Sequence, residues 1–383
     1  MSDTVIVDAV RAPIGRRDGG LSGVHPAELL AEVLRELVGR TGIDPGEVGQ
    51  VIGGCVGQVG EQALNVTRNA WLAAGLPLTV AATTVDAQCG SSQQATALAA
   101  ALVSSGVVDV AVGCGTEAMS RVPMGSTTRD GLGSPLPTGY TDRYEATTQF
   151  EGAERIAERW GITRRDTDEF GLLSQQRAHA AWSQQRFDGQ IVPIDAPENG
   201  GTRRVERDEG LRETSMEALG KLKPVARPDG IHTAGTSSQI SDGASAVLLA
   251  TPERAAELGL QPKARIVDTC LVGSDPVLML TGPIEATRKL LPRNGMTLGD
   301  IDLVEINEAF ASVVLAWQRE FDPDMERVNP NGGAIALGHP LGATGGILIA
   351  KAIHELERAD LETALVTMCC GGGLGTGMIL EHV

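Results

Sequence analysis

The chain has 383 residues, with 32 basic and 49 acidic side chains and a net charge of −17 at pH 7. That balance excludes a nonspecific nucleic-acid binder, which needs a basic footprint, and adhesion to an anionic membrane surface. Hydrophobic residues make up 42% and aromatics 3%, which suits a globular chain of about two or three domains at roughly 100–200 residues each.

No run approaches the ~18 apolar residues of a transmembrane helix. The N-terminal stretch MSDTVIVDAVRAP passes directly into a strand pattern, so no signal peptide is expected. The cysteines Cys55, Cys89, Cys114, Cys270, Cys369 and Cys370 form no CxxC pair. They read as free thiols in a reducing cytoplasm, neither a disulfide framework nor a zinc ribbon. HExxH and GxxxxGK(S/T) are absent, and the tail GGGLGTG does not fit GxGxxG.

In chain order, short apolar runs alternate with helical patterns, the mark of α/β layering. A strand is expected at 4–7. A helix follows at 26–38, with Pro26 in its first turn and Gly39 after it. A strand at 51–52 runs into Gly53 and Gly54. A small-residue helix at 89–105 is stopped by Gly106, and a strand at 108–112 ends in Gly-Cys-Gly. The region 118–240 is different. It opens with a Pro/Gly/Ser/Thr-rich stretch at 121–140, then a helix at 152–160. A second helix starts at Thr163, capped with Asp166 and carrying Phe170, Leu173 and Trp182. A charged run at 199–213 reads as irregular. Such an insertion usually covers or completes a site.

Beyond it the early order repeats. Residues 43–54 align with 296–307 at an offset of 253, and 109–115 with 363–369 at 254. The offset of 254 also carries Cys89, at one helix start, onto Ala343, at another. Residues 5–10 resemble 265–270 at 260. Two copies of one α/β unit are expected.

Four positions carry reactive groups. Cys89, in VDAQCGSSQQA, opens a helix, where the macrodipole and free N–H groups favour thiolate; the alternative is a buried structural thiol. His339 lies in NPNGGAIALGHPLGATGG, which has six glycines in 18 residues. It is placed to activate a thiol or stabilise an oxyanion, or merely to order its own loop. Cys369 and Cys370 end a strand before three glycines, beside free N–H groups that suit an oxyanion hole; a tight buried turn or a strained vicinal disulfide are the alternatives. Asn307 follows the strand pattern LVEI, facing a ligand or capping a helix that begins at Glu308. If the copies pack face to face about a pseudo-twofold, two Cys and one His meet in one cleft, as acyl transfer through a thioester requires.

At this point the sequence resembles the thiolases over nearly its whole length. The motifs are CGS at 89–91, GTEAMS at 115–120, TAGTSSQISDGA at 233–244, NEAF at 307–310, NGGAIALGHPLGATGG at 331–346 and CxGGG at 369–373. The resemblance implies a five-layered αβαβα fold from two duplicated domains. It divides the chain into 1–117 with 241–262, a loop domain of 118–240, and 263–383. It implies that Cys89 is the nucleophile, and that His339 activates it and forms one oxyanion hole with a water held by Asn307. Cys369 becomes the acid/base at the substrate α-carbon, and the N–H groups of Cys89 and Gly371 form a second oxyanion hole. Ser238, Met279, Ala309 and Phe310 match a pantetheine tunnel, and Arg212 a basic residue beside the coenzyme A nucleotide. Coenzyme A is implied as co-substrate, with no permanently bound cofactor and no metal. The partners implied are acyl-CoA substrates and further copies of the chain, as a homodimer or homotetramer.

Two departures refine this reading. Cys370 stands where the family more often has an aliphatic or small residue. TTQFEGAERIA (147–157) lacks the His-Met-Gly-type sequence of biosynthetic acetoacetyl-CoA thiolases and, with CGSSQQA, is similar to actinobacterial degradative thiolases. A degradative 3-ketoacyl-CoA thiolase is therefore expected, with acetoacetyl-CoA thiolase as the alternative and a non-catalytic scaffold as a remote one. With the chain so acidic overall, coenzyme A phosphates need local arginines, first of all those in 203–227.

Overall fold

The computed structural model describes residues 3–128, 131, 133–198 and 200–383; the runs 121–140 and 199–213 of the preceding section thus lie partly outside the described residues. The first copy contains β1 (Thr4–Arg11), β2 (Gly15–Arg16), α1 (Pro26–Thr41), β3 (Gln50–Gly54), α2 (Val66–Ala73), β4 (Ala81–Val85), α3 (Ser91–Ser104) and β5 (Val110–Ala118). The insertion contributes α4 (Thr138–Thr141), α5 (Gln149–Trp160), α6 (Arg164–Ser183), β6 (Ile194–Glu198), β7 (Gly201–Val205) and α7 (Met216–Gly220). Then come β8 (Ser241–Ala250), α8 (Pro252–Glu257), β9 (Ala264–Gly273), α9 (Gly282–Arg293), β10 (Leu303–Ile306), α10 (Ala311–Phe321), α11 (Ala334–Leu337), α12 (Thr344–Ala359), β11 (Thr363–Cys370) and β12 (Leu374–His382).

The strands line up as β4-β3-β5-β8-β1-β9-β12-β11-β10. In one half β3 runs parallel to β5 and β8 antiparallel to it. In the other, β10 runs parallel to β11 and β12 antiparallel to it. Antiparallel pairing of Thr4, Val5 and Ile6 with Ile266, Arg265 and Ala264 joins the halves. The duplication is therefore visible as two matching half-sheets.

Helix α1 buries Leu29, Leu30, Val33, Leu34 and Leu37 on the outer face of the first half. Helices α9 and α10 cover the outer face of the second, with Ile284, Leu290, Val314 and Trp317 in its core. Between the halves, α3 and α12 pack on each other and share one core, from Ala95 and Ala99 to Ile349 and Ile353. This gives five layers, α-β-α-β-α. Alanines along α3 allow the close approach that two sheets sandwiching one helix layer demand.

Three local expectations change. The helix expected from Cys89 starts at Ser91. The helix after Asn307 starts at Ala311 with Phe310 as its N-cap, so Asn307 caps nothing. The run at 199–213 is not wholly irregular: β7 pairs antiparallel with β6. Gly200, at φ +82°, supplies a turn conformation that an L side chain disfavours. This hairpin is tied to the first copy by a fully buried pair, Arg11 with Asp208 at 2.8 Å. Asp208 also accepts the Ile14 N–H at 2.7 Å, and Arg11 donates to Gln190 at 2.8 Å. Among the described residues, no helix is long and apolar enough to cross a membrane.

Candidate active site

Cys89 sits in the tight link between β4 and α3. Gln88, just before it, is held at φ +53°, and the Gly90 and Ser91 N–H groups close the turn on Ala87 and Gln88 carbonyls. Strain of this kind persists only where surrounding structure enforces it. Gly90 cannot be enlarged: a Cβ there would lie 2.6 Å from Cys370 Sγ and 2.7 Å from Thr376 Cγ2.

Strand β11 brings the second thiol to the same place. Cys369 and Cys370 are fully buried, and the six cysteines are free, so no vicinal disulfide forms. Cys370 packs beneath Gly90 in the core shared by α3 and α12. Cys89 lies close enough to Cys369 for its thiolate to disfavour ionisation of Cys369, and the Gly371 N–H reaches toward the Cys89 sulfur. Beyond Gly371, the turn is braced by Ser274, whose N–H donates to Gly373 O at 2.7 Å.

His339 enters from the loop ahead of α12 and is 3% exposed. Its backbone N–H donates to Ser241 Oγ at 3.0 Å. Its Nδ1 lies 2.6 Å from Thr344 Oγ1, and its Nε2 lies 3.4 Å from Asn307 Nδ2. Asn307 is fixed by its own N–H, which donates to Thr367 O at 3.1 Å, while its Oδ1 has no hydrogen-bond partner among the described residues. Asn307 and His339 are therefore in direct side-chain contact.

Burial sets the protonation states. Desolvation pushes the Cys89 thiol up to about 11, against the opposing pull of the Gly371 and Cys89 N–H groups. Nearby Glu117 and Asp86 add to the rise. Desolvation thus opposes the thiolate preference expected at the helix start. Cys369 is pushed well above the ordinary thiol range by burial. Burial also lowers His339 to about 4. The resting pair is a neutral thiol and a neutral imidazole, so the sulfur must lose its proton as it attacks.

Two buried carboxylates hold the loops and carry little signal in the sequence beyond their motifs. Glu117 accepts N–H groups from Val56, Gly57 and Gly342, each at 2.9 Å, and Gln62 Nε2 at 2.7 Å. It thereby ties the first copy to the His339 loop. Glu308 accepts Ser174 Oγ at 2.6 Å, Asn329 Nδ2 at 3.0 Å and the Ile335 N–H at 3.2 Å.

The remaining expected positions fall into two groups. Ser238 N–H donates to Ala309 O at 2.9 Å, and Phe310 bridges to Ser237. Met279, at φ +61°, packs in the same apolar cluster as Ala309 and Phe310. Arg212 stands apart on the insertion, exposed, its N–H bound to Gln175 at 2.9 Å. It lines a cavity of about 260 Å³ with Gln175, His179 and Thr214; a second, of about 420 Å³, is lined by His179, Arg203, Arg204 and Arg207.

Duplicated half-sheets bring Cys89 to Cys369 and the Gly371 N–H, and His339 to Asn307. Residues 4–253 match the family model for the N-terminal domain of thiolase, and residues 260–382 that for the C-terminal domain. The chain belongs to the thiolase family and is an acyltransferase that makes or cleaves carbon–carbon bonds with coenzyme A. It is 46% identical to the steroid 3-ketoacyl-CoA thiolase FadA6 of Mycobacterium tuberculosis, covering 100% of this chain and 95% of that one. It is 41% identical to a beta-ketoadipyl-CoA thiolase of Acinetobacter baylyi, over the full length of both. The crystal structure of the Bacillus anthracis acetyl-CoA acetyltransferase superposes with a TM-score of 0.93 at 41% identity, covering 100% of this chain and 99% of that one.

Proposed function

We propose that this thiolase works in the degradative direction, cleaving a 3-oxoacyl-CoA with a bulky acyl group. The observations that carry the chemistry are the meeting of Cys89, Cys369 and the Gly371 N–H, and the direct contact of His339 with Asn307. Cys89 gives its proton to His339 and attacks the 3-keto carbon. The N–H groups of Cys89 and Gly371 receive the oxyanion; losing one such donor typically costs about 10²–10³ in rate. The bond between C2 and C3 breaks, leaving an acyl-Cys89 and the enolate of acetyl-CoA. His339 and Asn307 stabilise the enolate oxygen, and Cys369 protonates its carbon. Coenzyme A then attacks the acyl-Cys89 while Cys369 takes the thiol proton, and His339 returns its proton to the departing Cys89 sulfur.

Ser238, Met279, Ala309 and Phe310 line the pantetheine path, and Arg212 with Arg203, Arg204 and Arg207 meets the phosphates. We divide the chain as 1–117 with 241–262, the loop domain 118–240, and 263–383. A second copy docks along β4, which is an outermost strand flanked by Leu64 and Leu78, 91% and 78% exposed. A homotetramer would need a further surface. The free thiols suit a reducing cytoplasm.

The acyl preference is supported by the steroid-type relative and by 147–157. The acetyl-CoA acetyltransferase structure favours a second reading, biosynthetic condensation of acetyl-CoA. A thiolysis assay comparing acetoacetyl-CoA, a long-chain 3-oxoacyl-CoA and a steroid 3-oxoacyl-CoA separates them. The proposal expects the highest kcat/KM on the steroid substrate; preference for acetoacetyl-CoA would overturn it.

A further inference from the structure

We infer that Thr344 is a positioning residue that fixes the tautomer of His339, keeping the proton on Nδ1 and leaving Nε2 as the basic nitrogen. The inference rests on the thiolase reading above and deepens it. Thr344 is the first residue of α12, and its hydroxyl lies 2.6 Å from His339 Nδ1. Its one proton has a partner elsewhere: Oγ1 donates to Pro340 O at 2.8 Å, the back-bond to the carbonyl four residues earlier. Toward the ring, Oγ1 then presents only lone pairs, so the short contact is Nδ1–H donating to oxygen.

At the other end of the ring, Nε2 faces the Asn307 side-chain amide at 3.4 Å. Thr344 is 2% exposed, so no water competes freely for Nδ1. Geometry comes from the fold: the His339 N–H is held by Ser241 Oγ, and Thr344 is locked in the first turn of a buried helix. Which nitrogen of a histidine is basic is set by the bond the other one makes. A proton acceptor on the Asn307 side needs the Nδ1–H form.

The test uses the full-length protein with ¹⁵N-labelled histidine. Two-bond ring spectra at pH 7 report which nitrogen carries the proton, and His339 is assigned by the signals lost in His339→Gln. The wild type should show His339 protonated at Nδ1. Thr344→Val, which keeps shape and removes the acceptor, should populate the Nε2-protonated form. Its kcat should fall about 10–100-fold, short of the ~10⁴ seen for a wholly misprotonated catalytic histidine. KM should stay within about threefold, because no substrate contact is lost. Thr344→Ser should restore both spectrum and kcat. A wild-type ring protonated at Nε2 would overturn the inference. So would a Thr344→Val protein with unchanged tautomer and kcat, or a Thr344→Ser protein as impaired as the valine variant. The ring spectrum needs no substrate, so failure of the thiolase reading appears separately, as a wild type without turnover.

Discussion

Ser92 Oγ accepts the Gly346 N–H at 2.9 Å, and these two residues are 254 positions apart, the offset that carries Cys89 onto Ala343. A residue touches its own counterpart only where the symmetry axis passes. The axis therefore runs between the first turns of α3 and α12. Cys89 lies just ahead of one turn and His339 just ahead of the other. Duplication thus places the proposed nucleophile and the proposed base ahead of neighbouring turns although neither copy holds both.

That close passage has no spare room. A Cβ on Gly345 would strike the backbone nitrogen of Gln93, which cannot swing aside. Gly345→Ala should lower unfolding stability by about 1–3 kcal/mol, the usual cost of overpacking. Urea denaturation measures it; an unchanged midpoint would place the helices farther apart than described.

Cys89 should alkylate slowly at neutral pH. Its pKa is pushed up to about 11, and the thiolate is the reactive form. The rate of iodoacetamide inactivation should keep rising between pH 8 and about 10.5 without a plateau. A plateau below pH 8 would mean an activated resting thiolate.

Lys351 and Glu305 form a buried pair at 2.6 Å, and Lys351 also holds Gly332 O at 2.7 Å. Lys351→Met should cost about 3–5 kcal/mol by leaving an unpaired buried carboxyl. Burial already raises Glu305 to about 7. A raised carboxyl binds its proton more tightly when folded, so this group's contribution to stability falls as pH rises from its ordinary range through 7. In Lys351→Met the fall should steepen. Thermal melts from pH 5 to 8 should show the variant losing more Tm than the wild type, and parallel curves would contradict this.

Arg212→Ala should raise KM for coenzyme A about 3–10-fold, a charge-assisted contact discounted for its exposure. Thiolysis by a pantetheine fragment lacking the nucleotide should not change. An equal loss with both acceptors would remove Arg212 from the nucleotide site.

Much of this was legible in the sequence because duplication leaves a constant offset and Gly-rich loops mark strand ends. The capping box at Thr163 and Asp166 is present as its residues imply. The hairpin of β6 and β7 was obscured because Arg203 and Arg204 read as a charged loop, whereas Gly200 supplies a turn. The helix start that favours thiolate at Cys89 is visible in sequence, whereas the desolvation that opposes it is not. Glu117 and Glu308 act through contacts fixed only when distant loops meet. Glu117, for example, reaches Gly342 across 225 residues.

In the proposed mechanism Cys89 carries the acyl group while Cys369 serves the carbon. Intact-mass and peptide mass spectrometry after mixing each variant with acetyl-CoA or with a 3-oxoacyl-CoA tests it. Cys369→Ala should carry an acetyl group on Cys89 from acetyl-CoA yet release almost no acetyl-CoA from the 3-oxoacyl-CoA, and Cys89→Ala should remain unmodified and inactive. Normal cleavage by Cys89→Ala, or an acyl group found on Cys369 or Cys370 in the wild type, would contradict it.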